Sequence, residues 1–170
     1  LLVQQIIQDA NPVANENFGS ALALSASGNH IVVGAASKTV NGFAGNGYFG
    51  QFDRSSSTWT QTHTYTPPSE YNLQIGLSVD ITDSHLIFSV GAKKEVHYQN
   101  LTAQGYSAIF PDPVNRISLD PVTEEPKVFS GNALYNFPNG SVVNKLKTLS
   151  VDNGQALPSL IGSYNSKIVA

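Results

Sequence analysis

The chain of 170 residues contains no cysteine and no methionine. Without cysteine there are no disulfides, no thiolate metal sites and no cysteine nucleophile. The compartment stays open, because exported proteins can also do without cysteine. Charge is scarce as well: Asp, Glu, Lys and Arg make up 12% of the chain, about half the usual ~25%. The nine Lys and Arg form no basic block and the net charge is −3, so the clustered cations that nucleic-acid phosphates require are missing. No apolar run reaches the ~18 residues of a membrane span. Leu1-Leu2-Val3 has no basic stretch before it, so the start is not an intact signal peptide; a processed product or a piece of a longer chain is expected.

Polarity comes from neutral groups, since Ser, Thr, Asn and Gln together number 53. The hydrophobic content of 41% is too high for a disordered chain, and the length suits one domain with its own core. The main signal is internal repetition. At a shift of 57 residues, Phe18-Gly19 falls on Ile75-Gly76, Leu22 and Leu24 on Val79 and Ile81, Ile31 and Val33 on Phe88 and Val90, and Gly34-Ala35 on Gly91-Ala92. Upstream, Leu2, Gln4, Ile6 and Gln8 fall on Trp59, Gln61, His63 and Tyr65. One further residue of slip brings Gly47-Tyr48 and Phe52 onto Gly105-Tyr106 and Phe110.

The matched segments read as strands. Ala21–Ser25 alternates small residues with Leu, and His30–Val33 is β-branched and stops at Gly34. Thr58–Tyr65 puts four threonines on one face and Trp59, Gln61, His63 and Tyr65 on the other, a pattern suited to a half-buried pleated surface. Ser27-Gly28-Asn29, Asn41-Gly42, Gly45-Asn46-Gly47 and Ser55-Ser56-Ser57 are turn signals between them. Four short antiparallel strands per unit predict an all-β fold of about three propeller blades. The expected division is 1–17 as the end of a preceding blade, 18–74 as a blade, 75–131 as a degenerate blade and 132–170 as a hairpin and the start of a further blade. Pro111, Pro113, Pro121 and Pro126, among four acidic residues, make 111–126 an expected insertion around a short strand at Arg116–Leu119. Ala133–Phe137 and Ser141–Leu149 read as a hairpin like Tyr48–Tyr65, and Ile161-Gly162-Ser163 as a unit opening. Leu1–Gln8 reads as a strand by its match to Thr58–Tyr65; a helix carrying Leu2, Val3, Ile6 and Ile7 on one face is the alternative.

Asn17-Phe18-Gly19-Ser20-Ala21-Leu22 and Ile31-Val32-Val33-Gly34-Ala35 resemble the opening and close of the FG-GAP repeat, the unit of integrin-alpha-like β-propellers. Ile75-Gly76-Leu77-Ser78-Val79 and Val90-Gly91-Ala92 resemble a second, weaker copy. The resemblance covers roughly residues 1–110. It implies repeat-defining roles for Phe18, Gly19, Gly34, Ala35, Gly76, Gly91 and Ala92, and an extracellular, cell-surface or periplasmic setting. It also implies macromolecular partners, namely other subunits or the remaining blades of a longer chain. Integrin-type blades often carry a calcium loop, but Ala26-Ser27-Gly28-Asn29 and Thr82-Asp83-Ser84 are too short and too poor in carboxylates, so no metal is expected.

Catalytic signals are sparse. Gly45-Asn46-Gly47-Tyr48-Phe49-Gly50 fits a dinucleotide fingerprint only as letters, because a strand rather than a helix follows it. His30, His63, His85 and His97 show no helical zinc spacing, and no GxSxG elbow occurs. Asp80 and Asp83, three apart, point to opposite faces of a strand and make a poor acid–base pair. Asn100-Leu101-Thr102 and Asn139-Gly140-Ser141 fit the glycosylation sequon. The expectation is a noncatalytic interaction or structural module without cofactor, nucleic acid or membrane span. A carbohydrate-binding propeller, with Tyr48 and Trp59 stacking on glycan, is the alternative. An enzyme with its groups in 111–131 or in further blades is the third reading.

Overall fold

A computed structural model describes residues 5–65, 68–136, 144–148, 162–164 and 167–169. It is all-β: three four-stranded antiparallel sheets, each threaded as a meander, and one two-stranded sheet. The first sheet holds β1 (Ala21–Leu24), β2 (His30–Gly34), β3 (Phe49–Ser55) and β4 (Thr58–Thr64). The second holds β5 (Ile75–Ile81), β6 (His85–Val90), β7 (Glu95–Asn100) and β8 (Gly105–Ile109). The third holds β9 (Val114–Leu119), β10 (Pro126–Ser130), β11 (Ala133–Asn136) and β12 (Asn144–Thr148). β13 (Gly162–Tyr164) pairs with β14 (Lys167–Val169). Turn chemistry sets the tight hairpins: Gly28 (φ +70°) turns β1 into β2, and Ser56 (φ +56°) turns β3 into β4. No helix among the described residues is long and apolar enough to cross a membrane.

The first strands stand side by side, β1 against β5 and β5 against β9, so the sheets radiate as three blades of a β-propeller. Strand alternation lets one blade feed two cores. Leu86 and Phe88 of β6 turn toward blade 1 and join Val32, Phe49, Val79 and Ile81. Ile87, between them, turns toward blade 3 and joins Val96, Phe110, Ile117 and Val128. Phe88 and Ile87 are fully buried, each contributing about 1.5–3 kcal/mol of apolar burial.

The β1 face turned away from blade 2 breaks this pattern. Val79 and Ile81 of β5 are buried against blade 1, at 8% and 4% exposure. Ile117 and Leu119 of β9 are buried against blade 2, at 3% and 4%. The corresponding pair on β1, Leu22 and Leu24, is 60% and 56% exposed.

The blade boundaries differ from the sequence expectation. Residues 114–130 are not an insertion: they form β9 and β10, the first two strands of the third blade. The prolines bracket these strands instead of interrupting them. Pro111 and Pro113 precede β9, Pro121 lies in the turn, and Pro126 is the first residue of β10. Asp120 holds that turn by accepting the N–H groups of Val122 and Thr123, each at 2.9 Å. The third blade therefore begins at Val114, not after residue 131. The 57-residue interval is not constant either. Blade 1 spends residues 35–48 between its second and third strands, where blade 2 uses only residues 91–94. The slipped match of Tyr48–Phe52 to Tyr106–Phe110 consequently joins a third strand to a fourth. Residues 5–8 form neither strand nor helix, and residues 1–4 lie outside the described residues. Gln5 reaches β4 by its side chain: its amide donates to Trp59 O (3.0 Å) and accepts from Trp59 N–H (2.8 Å).

Candidate functional site

Of the repeat-motif residues, Gly34 and Gly76 meet at the seam between blades 1 and 2, whereas Phe18, Gly19 and Ala35 make their contacts within blade 1. Phe18 packs on Tyr48 and Phe52, with ring centroids 6.4 and 6.3 Å away. Gly19 N–H donates to Gly34 O at 3.0 Å, and Ala35 N–H to Tyr48 O at 2.8 Å. Gly34 and Gly76 face each other across the seam: a Cβ on Gly34 would stand 2.1 Å from Gly76 O. Gly91 opens a single 3-10 turn, and Ala92 N–H donates to Leu73 O at 3.2 Å. Ala92 is exposed whereas Ala35 is fully buried, and the loop that follows Ala35 is replaced after Ala92 by a short turn.

The segment before β1 crosses the outward face of blade 1. Lys38, from the β2–β3 loop, is its anchor. Its ammonium donates to the Asp9 carboxylate and to Asn11 O (2.9 Å), lies 3.7 Å from Glu16 Oε2, and sits 4.3 Å from the Tyr48 ring centroid. All three ionic side chains are buried. Nothing in the sequence pattern marks this cluster. Tyr48 and Trp59 lie on the same half-covered face. The Tyr48 hydroxyl accepts from Gln61 at 2.5 Å, and Arg54 sits 5.7 Å from the Trp59 ring centroid.

Acidic side chains stitch the blades together at one end. Asp83 accepts from Ser27 N–H (3.2 Å) and Ser27 Oγ (2.5 Å) in blade 1. Asp80 reaches the other way, accepting from Leu119 N–H (2.7 Å) and Ser118 Oγ (3.2 Å) in blade 3. Burial raises the Asp80 carboxyl above its ordinary value despite those bonds. Beside them, Ser84, His85 and Glu124 meet, with Ser84 Oγ and Glu124 Oε2 at 2.8 and 2.9 Å from His85 Nδ1. A nucleophilic relay needs serine and acid on opposite ring nitrogens. Here both use the same one, so the trio lacks the arrangement in which the acid orients the ring through one nitrogen while the other takes the serine proton. Burial raises Glu124, but hydrogen bonds from Ser84, Thr82 and His85 outweigh it and hold the carboxyl below its ordinary value. Among the described residues no group of three or more His, Cys, Asp or Glu could hold a metal ion.

The outer strands of blades 1 and 2 diverge to open a groove of about 520 Å³. β4 and the residue after it supply His63 and Tyr65; β7 supplies His97 and Gln99; β8 supplies Gly105 and Ser107. His97 lies parallel to Phe88 at 4.7 Å, and Tyr65 stands 5.2 Å from both rings. Gln99 is 8% exposed, and its Nε2 has no partner among the described residues. His97 Nε2 is 3.0 Å from Glu95 Oε1, an ion-pair distance without hydrogen-bond alignment. The histidines and Tyr65 attract notice singly in the sequence, and Tyr98 does not; their pairing across two blades depends on a seam that no local pattern encodes.

Burial holds both His63 and His97 below the ordinary 6.5, and Glu95 opposes the shift at His97 without reversing it. Burial, followed by Tyr106 and Glu124, pushes the Tyr98 hydroxyl up to about 12. The unfolded chain binds more protons than the folded one below the ordinary histidine value. Stability is therefore complete above it and lost as pH falls through the depressed folded values. His97→Phe keeps the stack on Phe88 and should flatten the loss between about pH 7 and pH 5. Urea denaturation across that range measures it; an unchanged slope would remove His97 as its source.

No protein-family model matches the chain, and no curated protein matches it. Solved structures do. A catalytically inactive H270A virginiamycin B lyase from Staphylococcus aureus with quinupristin aligns over 88% of this chain and 47% of its own, with TM-score 0.57 and 13% identity. A streptogramin B lyase aligns over 78% of this chain and 41% of its own, with TM-score 0.55 and 7% identity. Selenomethionine-substituted virginiamycin B lyase from the same organism aligns over 80% and 43%, with TM-score 0.54 and 10% identity. The chain thus spans under half the length of these proteins, and the likeness shows its fold, a partial β-propeller.

Proposed function

We propose that the chain is a noncatalytic interaction module, FG-GAP-like blades of an exported or cell-surface assembly, whose β1 face receives one further four-stranded blade. The exposed Leu22–Leu24 pair carries this reading. Its two counterparts, Val79–Ile81 and Ile117–Leu119, are both buried by the blade before them. An apolar pair repeated at the same place on three first strands is a seam surface, and the first seam is open. The glycines at the blade 1–2 seam support the FG-GAP kinship, and the arrangement of Ser84, His85 and Glu124 supports a role without nucleophilic catalysis.

The further blade comes from the rest of a longer chain or from another subunit, and a second copy can stand in for it. In sedimentation velocity the chain is expected to self-associate as its concentration rises. Leu22→Asp with Leu24→Asp should weaken that association at least about tenfold, or 1.4 kcal/mol, with little change in the urea midpoint. A chain that stays monomeric at several hundred micromolar, with no difference in the double variant, would sink the reading.

A further inference from the structure

We propose that the groove between the outer strands of blades 1 and 2 binds a neutral saccharide. The site lies on a closed seam, so it stands whether or not the Leu22–Leu24 face is filled.

Three features select the ligand. The first is an aromatic wall. Tyr65 and His97 line the groove with ring centroids 5.2 Å apart, His97 backed by the buried Phe88, and they offer aromatic surface to the C–H face of a sugar ring. The second is an unmet donor. Gln99 lines the groove, is more than nine-tenths buried, and its Nε2 bonds to nothing among the described residues. A buried amide donor left unpaired is costly. Rotation about its last torsion, which is broad in glutamine, offers that donor to a ligand hydroxyl in the groove. A sugar hydroxyl both gives and accepts, so it also suits neutral imidazoles and the Ser107 hydroxyl.

The third feature is charge. Among the described residues, neither Lys nor Arg lines the groove. Lys93, whose charge reaches Tyr65, is paired with Glu70 at 2.8 Å. The Glu95 carboxylate stands 3.0 Å from His97. A phosphate or sulfate would be repelled by that carboxylate with no committed cation to offset it, whereas an uncharged polyol would not be repelled. Both histidines favour their neutral form, which adds no positive charge for an anion.

The test is a panel of neutral oligosaccharides (glucans, mannans, galactans and chitin fragments) titrated calorimetrically against the whole chain, beside sulfated oligosaccharides and inorganic phosphate. At least one neutral member should bind saturably with a dissociation constant of about 1 mM or tighter. Gln99→Leu should weaken it tenfold or more. Ser107→Phe, which fills the groove from β8 opposite His97 and leaves the Gln99 side chain in place, should do the same, and serves alone if Gln99→Leu fails to fold. Trp59→Ala, on the opposite face of blade 1, should leave binding unchanged. The proposal is overturned if no neutral oligosaccharide binds, if the anionic probes bind more tightly, if binding survives Ser107→Phe, or if Trp59→Ala abolishes it.

Discussion

Gly34→Ala is expected to lower the unfolding free energy by about 3 kcal/mol, the upper end of ordinary overpacking. The added Cβ would stand 2.1 Å from Gly76 O and 3.2 Å from the Ala21 Cβ. The obstacle is backbone, so no side chain can rotate away, and the two blades must part. Gly76 itself sits at φ +76° with its Cα against the Tyr48 backbone carbonyl, so it has little room to retreat. Gly19→Ala provides the comparison. Gly19 has φ +95° but nothing within 4 Å of an added Cβ, so it should lose only about 1 kcal/mol, from backbone conformation alone. Urea denaturation of both variants measures the difference. Equal losses would mean that the seam can open without penalty and that the close approach does not matter.

Lys38→Met should cost more, about 3–5 kcal/mol. The substitution keeps much of the side-chain length but leaves Asp9 and Glu16 as buried carboxylates facing each other without a cation. Asp9 is 7% exposed and Glu16 9%, so water can replace little of what the ammonium supplied. Removing one partner of a buried ion cluster is far more damaging than replacing the cluster with apolar groups. Lys38→Met combined with Asp9→Leu and Glu16→Leu should therefore recover most of the loss. Denaturant midpoints of the single and triple variants decide this. A single variant within about 1 kcal/mol of the parent would show that the segment before β1 is not held by this cluster.

The all-β blade architecture was legible because its signals are local. Alternation in β1 and β4, the β-branched run of β2 and the glycines near strand ends are all visible within a few residues. The third blade was harder. Its prolines look like breakers in a linear reading, and only pairing shows that Pro126 opens β10 opposite Leu119, where a missing N–H does least harm. The repeat spacing misled beyond Phe52, because blade 2 replaces the long loop 35–48 with a single turn and shifts every later strand. The Lys38 cluster and the groove were out of reach for a different reason. Lys38 and Asp9 are 29 residues apart, and His63 and His97 lie on different blades, so their meeting is a product of packing.

The first hairpin of blade 2 grips both neighbours at once, Asp83 holding Ser27 on one side and Asp80 holding Leu119 on the other. A single short turn thus acts as a yoke. Order at either flank therefore restrains the same few residues of β5 and the turn after it.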